Sequence, residues 1–80
     1  MISFNSLRIV RKNINVQGIV QGVGFRPFIY NLADSNKLTG FVSNTSKGVT
    51  IEVEGSINQI DNFIDNIKLK APPLSLITDI

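Results

Sequence analysis

Two side chains that carry much of enzyme chemistry are missing, since the 80 residues contain no cysteine and no histidine. Without cysteine there is no disulfide, no thiolate nucleophile and no sulfur ligand for zinc. Without histidine there is no imidazole base, no phosphohistidine and no histidine-held metal. The lack of cysteine suits a reducing compartment, so a soluble cytoplasmic protein is the expectation. An excess of one charge is lacking too. Eight Lys/Arg stand against six Asp/Glu, a formal +2, and the basic residues are scattered from Arg8 to Lys70. Neither nucleic acid nor a membrane surface is therefore expected as a partner. No apolar run approaches the roughly 20 residues of a membrane span. The first residues, from Met1 to Leu7, lack the apolar stretch of a signal peptide.

What is present alternates between two periods. From Lys12 to Val20, Ile14, Val16, Gly18 and Val20 recur at every second position, the pattern of a half-buried strand. A glycine-rich stretch, Gly18-Ile19-Val20-Gln21-Gly22-Val23-Gly24, follows. Beyond it Phe25, Phe28, Ile29, Leu32 and Ala33 mark one face of a helix that ends near Asn36 and Lys37. Pro27 falls in its first turn, where no amide hydrogen is missed. Leu38–Asn44 and Val49–Glu54 read as strands joined by the turn Thr45-Ser46-Lys47-Gly48. Ser56 with Gln59 forms a capping box for a second helix, striped by Ile57, Ile60, Phe63, Ile64 and Ile67 and stopped by Ala71-Pro72-Pro73. Leu74–Ile80 reads as a last strand.

The order β-α-β-β-α-β predicts an α+β, ferredoxin-like sandwich: one antiparallel sheet with two helices on one face. Its core should unite Ile14, Val16, Phe28, Leu32, Ile51, Val53, Ile60 and Phe63. Residues 1–11 read as an N-terminal extension and 12–80 as the domain. Because the last strand has no polar tail behind it, the domain is expected to be an excised part of a longer multidomain protein.

Candidate chemistry concentrates between Gly18 and Arg26 and at Asn44. A glycine-rich turn leading into a helix presents several backbone N–H groups in one direction, and the helix dipole adds favourable potential for an anion. The Arg26 guanidinium, at the start of that helix, can take two oxygens of one phosphate. Glycines also serve tight turns for steric reasons, so phosphate cradle and plain turn both stand as readings. Asn44 likewise has two readings: a turn-former, or an amide that both donates to and accepts from one water molecule. Other glycine-loop classes fit worse. Gly22-Val23-Gly24-Phe25-Arg26-Pro27 lacks the third glycine of a dinucleotide fingerprint, and no Gly-Lys-Ser/Thr of a nucleotide P-loop occurs. The third strand has no aromatic residues with which to stack RNA bases.

The segment Gly18-Ile19-Val20-Gln21-Gly22-Val23-Gly24-Phe25-Arg26 closely resembles the acylphosphatase signature, Gly-x-Val-Gln-Gly-Val-x-Phe-Arg. Gly40-Phe41-Val42-Ser43-Asn44 resembles the second motif of that family, and the resemblance runs from about Lys12 to Ile80. It implies that the loop Gly18, Ile19, Val20, Gln21, Gly22 and Val23, with the Arg26 side chain, holds the phosphate of an acyl phosphate. It further implies that Asn44 positions the attacking water, in direct in-line attack that needs no metal, cofactor or covalent intermediate. Phe25-Arg26-Pro27-Phe28-Ile29-Tyr30 and Ala71-Pro72-Pro73-Leu74 are similar to the N-terminal domain of the HypF-type hydrogenase-maturation carbamoyltransferases. That narrower resemblance implies carbamoyl phosphate as substrate. As partners it implies downstream domains of the same chain and other hydrogenase-maturation proteins. The competing readings are a stand-alone acylphosphatase of broad specificity and a non-catalytic βαββαβ module that binds an anion or a partner.

Overall fold

The structure, a computed structural model, describes residues 8–73 and 75–80. In chain order its elements are β1 (Ile9–Ile19), α1 (Phe25–Ser35), β2 (Thr39–Asn44), β3 (Gly48–Ser56), α2 (Ile57–Lys70) and β4 (Leu76–Asp79). The sheet order is β2-β3-β1-β4, with every neighbouring pair antiparallel. The ferredoxin-like α+β fold expected from the two periodicities is the fold observed.

The long central pair, β1 with β3, is the backbone of the sheet. Its register sets Ile14 opposite Ile51 and Val16 opposite Val49. These apolar residues point to one face, where both helices meet them. Phe25 and Ile29 come from α1, Ile60, Phe63 and Ile67 from α2, and Val20 and Leu38 from the connections; all are buried in one cluster with the strand residues. Each such side chain, fully buried, contributes about 1.5–3 kcal/mol of transfer free energy. The opposite face is polar along the middle of β1 and β3. Arg11 Nη2 lies 2.6 Å from Glu52 Oε2, Asn13 Nδ2 donates to Thr50 Oγ1 at 3.2 Å, and Asn15 Nδ2 to Asn13 Oδ1 at 3.0 Å. The Glu52 carboxylate, through its hydrogen bond, holds the Arg11 guanidinium above its ordinary pKa, against a smaller opposing effect of desolvation.

Several boundaries differ from those read in the sequence. β1 begins at Ile9, not Lys12, because pairing with β3 continues through Arg11 opposite Glu54 and Val10 opposite Gly55. Lys12 occupies an inward-parity position and so hides the alternation that carries on beyond it. β3 likewise runs on to Ser56. Leu74, where the last strand was expected to start, and residues 1–7 of the expected N-terminal extension lie outside the described residues.

The core is shifted by part of a turn on α1. Phe25 and Ile29 are its buried residues, while Phe28 and Leu32, expected in the core, are half-buried at its margin. A pair four apart points most directly at the sheet, and its neighbours on the stripe flank it. The Phe28 ring packs on Phe25 at 5.6 Å between centroids. Ser56 caps α2 as expected, accepting from the Gln59 N–H at 3.3 Å. The Gln59 side chain accepts from the Ser56 hydroxyl at 3.0 Å instead of reaching the Ser56 amide. Lys68 and Lys70 occupy the last turn of α2, at the negative end of its dipole. No helix among the described residues is long and apolar enough to cross a membrane.

Candidate active site

The glycine-rich segment divides into a part that belongs to the sheet and a part that does not. Gly18 and Ile19 are strand residues, paired with Ile77 and Leu76 of β4 across an irregularity between Gln17 and Gly18. At Gly18 a Cβ would overlap the Leu76 carbonyl oxygen, so glycine is required there by close backbone approach. The Gly18 amide is also engaged, donating to the Lys47 carbonyl at 3.2 Å. Val20 is buried in the core.

The open part is Gln21–Gly24. Gly22 and Gly24 take the left-handed conformation, with φ 71° and 80°. A Cβ on either would meet nothing within 4 Å, so glycine is needed here for φ, and the space above the backbone is clear. Gly24 is also the N-cap of α1, and no side chain caps that end. The first helical bond runs from Phe28 N–H to the Gly24 carbonyl at 3.2 Å, so Pro27 costs none. No acidic residue lies in the first turn. No loop or connection hydrogen bond is donated by the backbone of residues 21–26 among the described residues, and the positive end of the α1 dipole lies at this end.

Arg26, the second residue of α1, is exposed, and its side chain makes no hydrogen bond or ion pair among the described residues. Asn44 is the last residue of β2, opposite Val49, and is exposed. The turn that follows is closed without it. Thr45 N–H donates to the Gly48 carbonyl at 2.9 Å, and Thr45 Oγ1 accepts from the amides of Gly48 at 3.1 Å and Lys47 at 3.3 Å. Thr45 therefore does the turn-forming work that could have occupied Asn44, and the Asn44 amide has no partner among the described residues.

Loop and turn are tied together. Besides the bond from Gly18 to Lys47, Gln21 Nε2 donates to the carbonyls of Thr45 at 2.6 Å and Gly48 at 2.8 Å. The sequence puts Gln21 in the loop but carries no sign of this side-chain link. The Asn-Thr-Ser run was the available signal for the role of Thr45. Two hollows of the surface lie elsewhere, about 610 Å³ beside Pro72 and Leu76 and about 290 Å³ between Ile29 and Phe41. Neither includes the loop, Arg26 or Asn44. A small anion needs no deep cavity when backbone N–H groups hold it, so the position of these hollows does not argue against a site at the loop.

A ferredoxin-like sandwich whose glycine-rich loop before Arg26 is tied by Gln21 to the turn after Asn44 defines the class of α+β domain to which the chain is compared. Residues 12–80 match the family model described as Acylphosphatase, and the chain belongs to the acylphosphatase family. It is 52% identical over 68 residues to a probable carbamoyltransferase HypF of Methanocaldococcus jannaschii, covering 85% of this chain and 9% of that one. It is 42% identical over 73 residues to an acylphosphatase of Bacillus subtilis, covering 90% and 79%. Among solved structures it superimposes on a full-length HypF in a phosphate- and nucleotide-bound form with a TM-score of 0.87 at 50% identity, covering 90% of this chain and 10% of that one. The chain thus spans about a tenth of the carbamoyltransferases it matches.

Proposed function

We propose that the chain hydrolyses acyl phosphates, with carbamoyl phosphate as its substrate, as the acylphosphatase-like part of a hydrogenase-maturation carbamoyltransferase acting with that protein's downstream domains. The observation that supports hydrolysis most is the unengaged amide of Asn44 at the end of β2, with Thr45 closing the turn in its place. A side chain with no hydrogen-bond partner among the described residues, on a strand whose following turn is tied to the glycine-rich loop, is available to a ligand. The higher identity to the carbamoyltransferase, 52% against 42%, favours carbamoyl phosphate over a broad acyl phosphate range.

In this reading the amides of Gln21–Gly24 and the Arg26 guanidinium hold the phosphoryl oxygens. Asn44 accepts a hydrogen bond from a water molecule and donates one to it, aiming its lone pair at phosphorus. The water oxygen forms the new P–O bond as the P–O bond to the acyl group breaks in line. The acyl carboxylate leaves, carbamate in the case of carbamoyl phosphate, and inorganic phosphate is released. The leaving group is already a stable anion, so positioning and charge stabilisation supply the catalysis, without a strong base, covalent intermediate or cofactor. Steady-state hydrolysis of carbamoyl phosphate and benzoyl phosphate tests this. A clear preference in kcat/KM for carbamoyl phosphate is expected. Equal values would favour the broad-specificity enzyme, and phosphate binding without turnover of either would favour a binding module.

A further inference from the structure

Gln21 sits inside the loop, yet its side chain leaves the loop for the hairpin. Both of its contacts are carbonyl oxygens, those of Thr45 and Gly48. Carbonyls only accept, so the amide nitrogen must face them and both of its hydrogens are engaged. Thr45 is the residue next to Asn44, and Gly48 is the other end of the same closed turn. The backbone of Gln21 meanwhile belongs to the open cradle. One residue is therefore part of the loop by its main chain and part of the hairpin by its side chain.

We propose that Gln21 is a positioning residue, whose side-chain amide fixes Asn44 against the anion cradle so that water and phosphorus keep one geometry. This rests on the hydrolytic reading above, which uses only the backbone of Gln21. The side chain touches neither phosphate nor water; it acts through the turn. Its loss should leave the anion bound and misplace the nucleophile, and a misplacement of about 1 Å can cost about 10²-fold in rate.

The test compares the 80-residue chain with Gln21→Met, which keeps length without donors, and Gln21→Glu, which turns carboxylate oxygens toward the two carbonyls. For carbamoyl phosphate, kcat should fall about tenfold or more in Gln21→Met and further in Gln21→Glu. In Gln21→Met, KM and the affinity for inorganic phosphate should stay near wild type. Added to Asn44→Ala, Gln21→Met should lower kcat no further, since it acts through Asn44. By NMR, phosphate should move the Asn44 side-chain amide resonances in wild type but not in Gln21→Met. Wild-type kcat in Gln21→Met, or losses that add to those of Asn44→Ala, would overturn the proposal. If the wild-type chain turns over no acyl phosphate, the hydrolytic reading fails, and the NMR titration alone decides the coupling. Equal movement of Asn44 in both proteins would then refute it.

Discussion

At the scale of single residues, the proposed mechanism separates groups that would hold charge from a group that would hold water. Arg26 offers a planar fork, and the loop amides offer fixed dipoles; both would contact phosphate before and during reaction. Arg26→Lys keeps the charge and loses the fork, so phosphate affinity should drop clearly and KM should rise, as measured by phosphate titration and steady-state kinetics. A lysine variant that binds phosphate as tightly as wild type would remove Arg26 from the cradle. Arg26 is exposed with no structural partner among the described residues, so the same substitution should leave the melting temperature almost unchanged. Gly22→Ala offers a second test. Its φ of 71° is unfavourable for alanine although nothing blocks the Cβ. It should therefore cost stability and weaken phosphate binding together.

At the scale of elements, the two helices and the central strands share one core, and its centre lies where α2 meets the sheet. Phe63 is 0% exposed. Phe63→Ala should cost about 3–5 kcal/mol by denaturant titration, a large share of the roughly 5–15 kcal/mol typical of a domain. By contrast Phe28→Ala, at the margin, should cost clearly less. Much of this was legible in the sequence. The alternation of Val49, Ile51 and Val53 is unbroken, and the stripe from Ile57 to Ile67 has the helical period, so β3 and α2 declare themselves. The first strand was harder because Lys12 interrupts its inward positions. Phe28 and Leu32 share a stripe with Phe25 and Ile29, and only the orientation of α1 on the sheet decides which pair is buried. At the site, residue chemistry alone leaves Arg26 and Asn44 with two readings each, and the roles proposed for them come from the family resemblance. The structural use of Gly18 was not, since it depends on how closely β4 approaches. Nor was the reach of Gln21, whose partners lie 24 and 27 residues away in the chain.

At the scale of the whole molecule, the absence of histidine shapes the pH response. Neither stability nor turnover should show an inflection between pH 6 and pH 7 from a side chain of this chain, as a pH–rate profile and thermal melts would report. The raised guanidinium pKa of Arg11 does not alter this. Its folded pKa is raised above the ordinary guanidinium value by the Glu52 carboxylate. Its contribution is therefore fully present below that value and is lost only as pH rises through the higher folded one, far above neutrality. The fold ties the loop before α1 to the turn after β2, and the proposed function divides the work between them, an anion held by the first and a water by Asn44 at the second. The most direct test of that division is Asn44→Ala, with kcat for carbamoyl phosphate and affinity for inorganic phosphate measured on the same protein. A fall in kcat of about 10²-fold with phosphate affinity nearly intact is expected. Loss of phosphate binding with turnover preserved at saturating substrate would contradict the assignment.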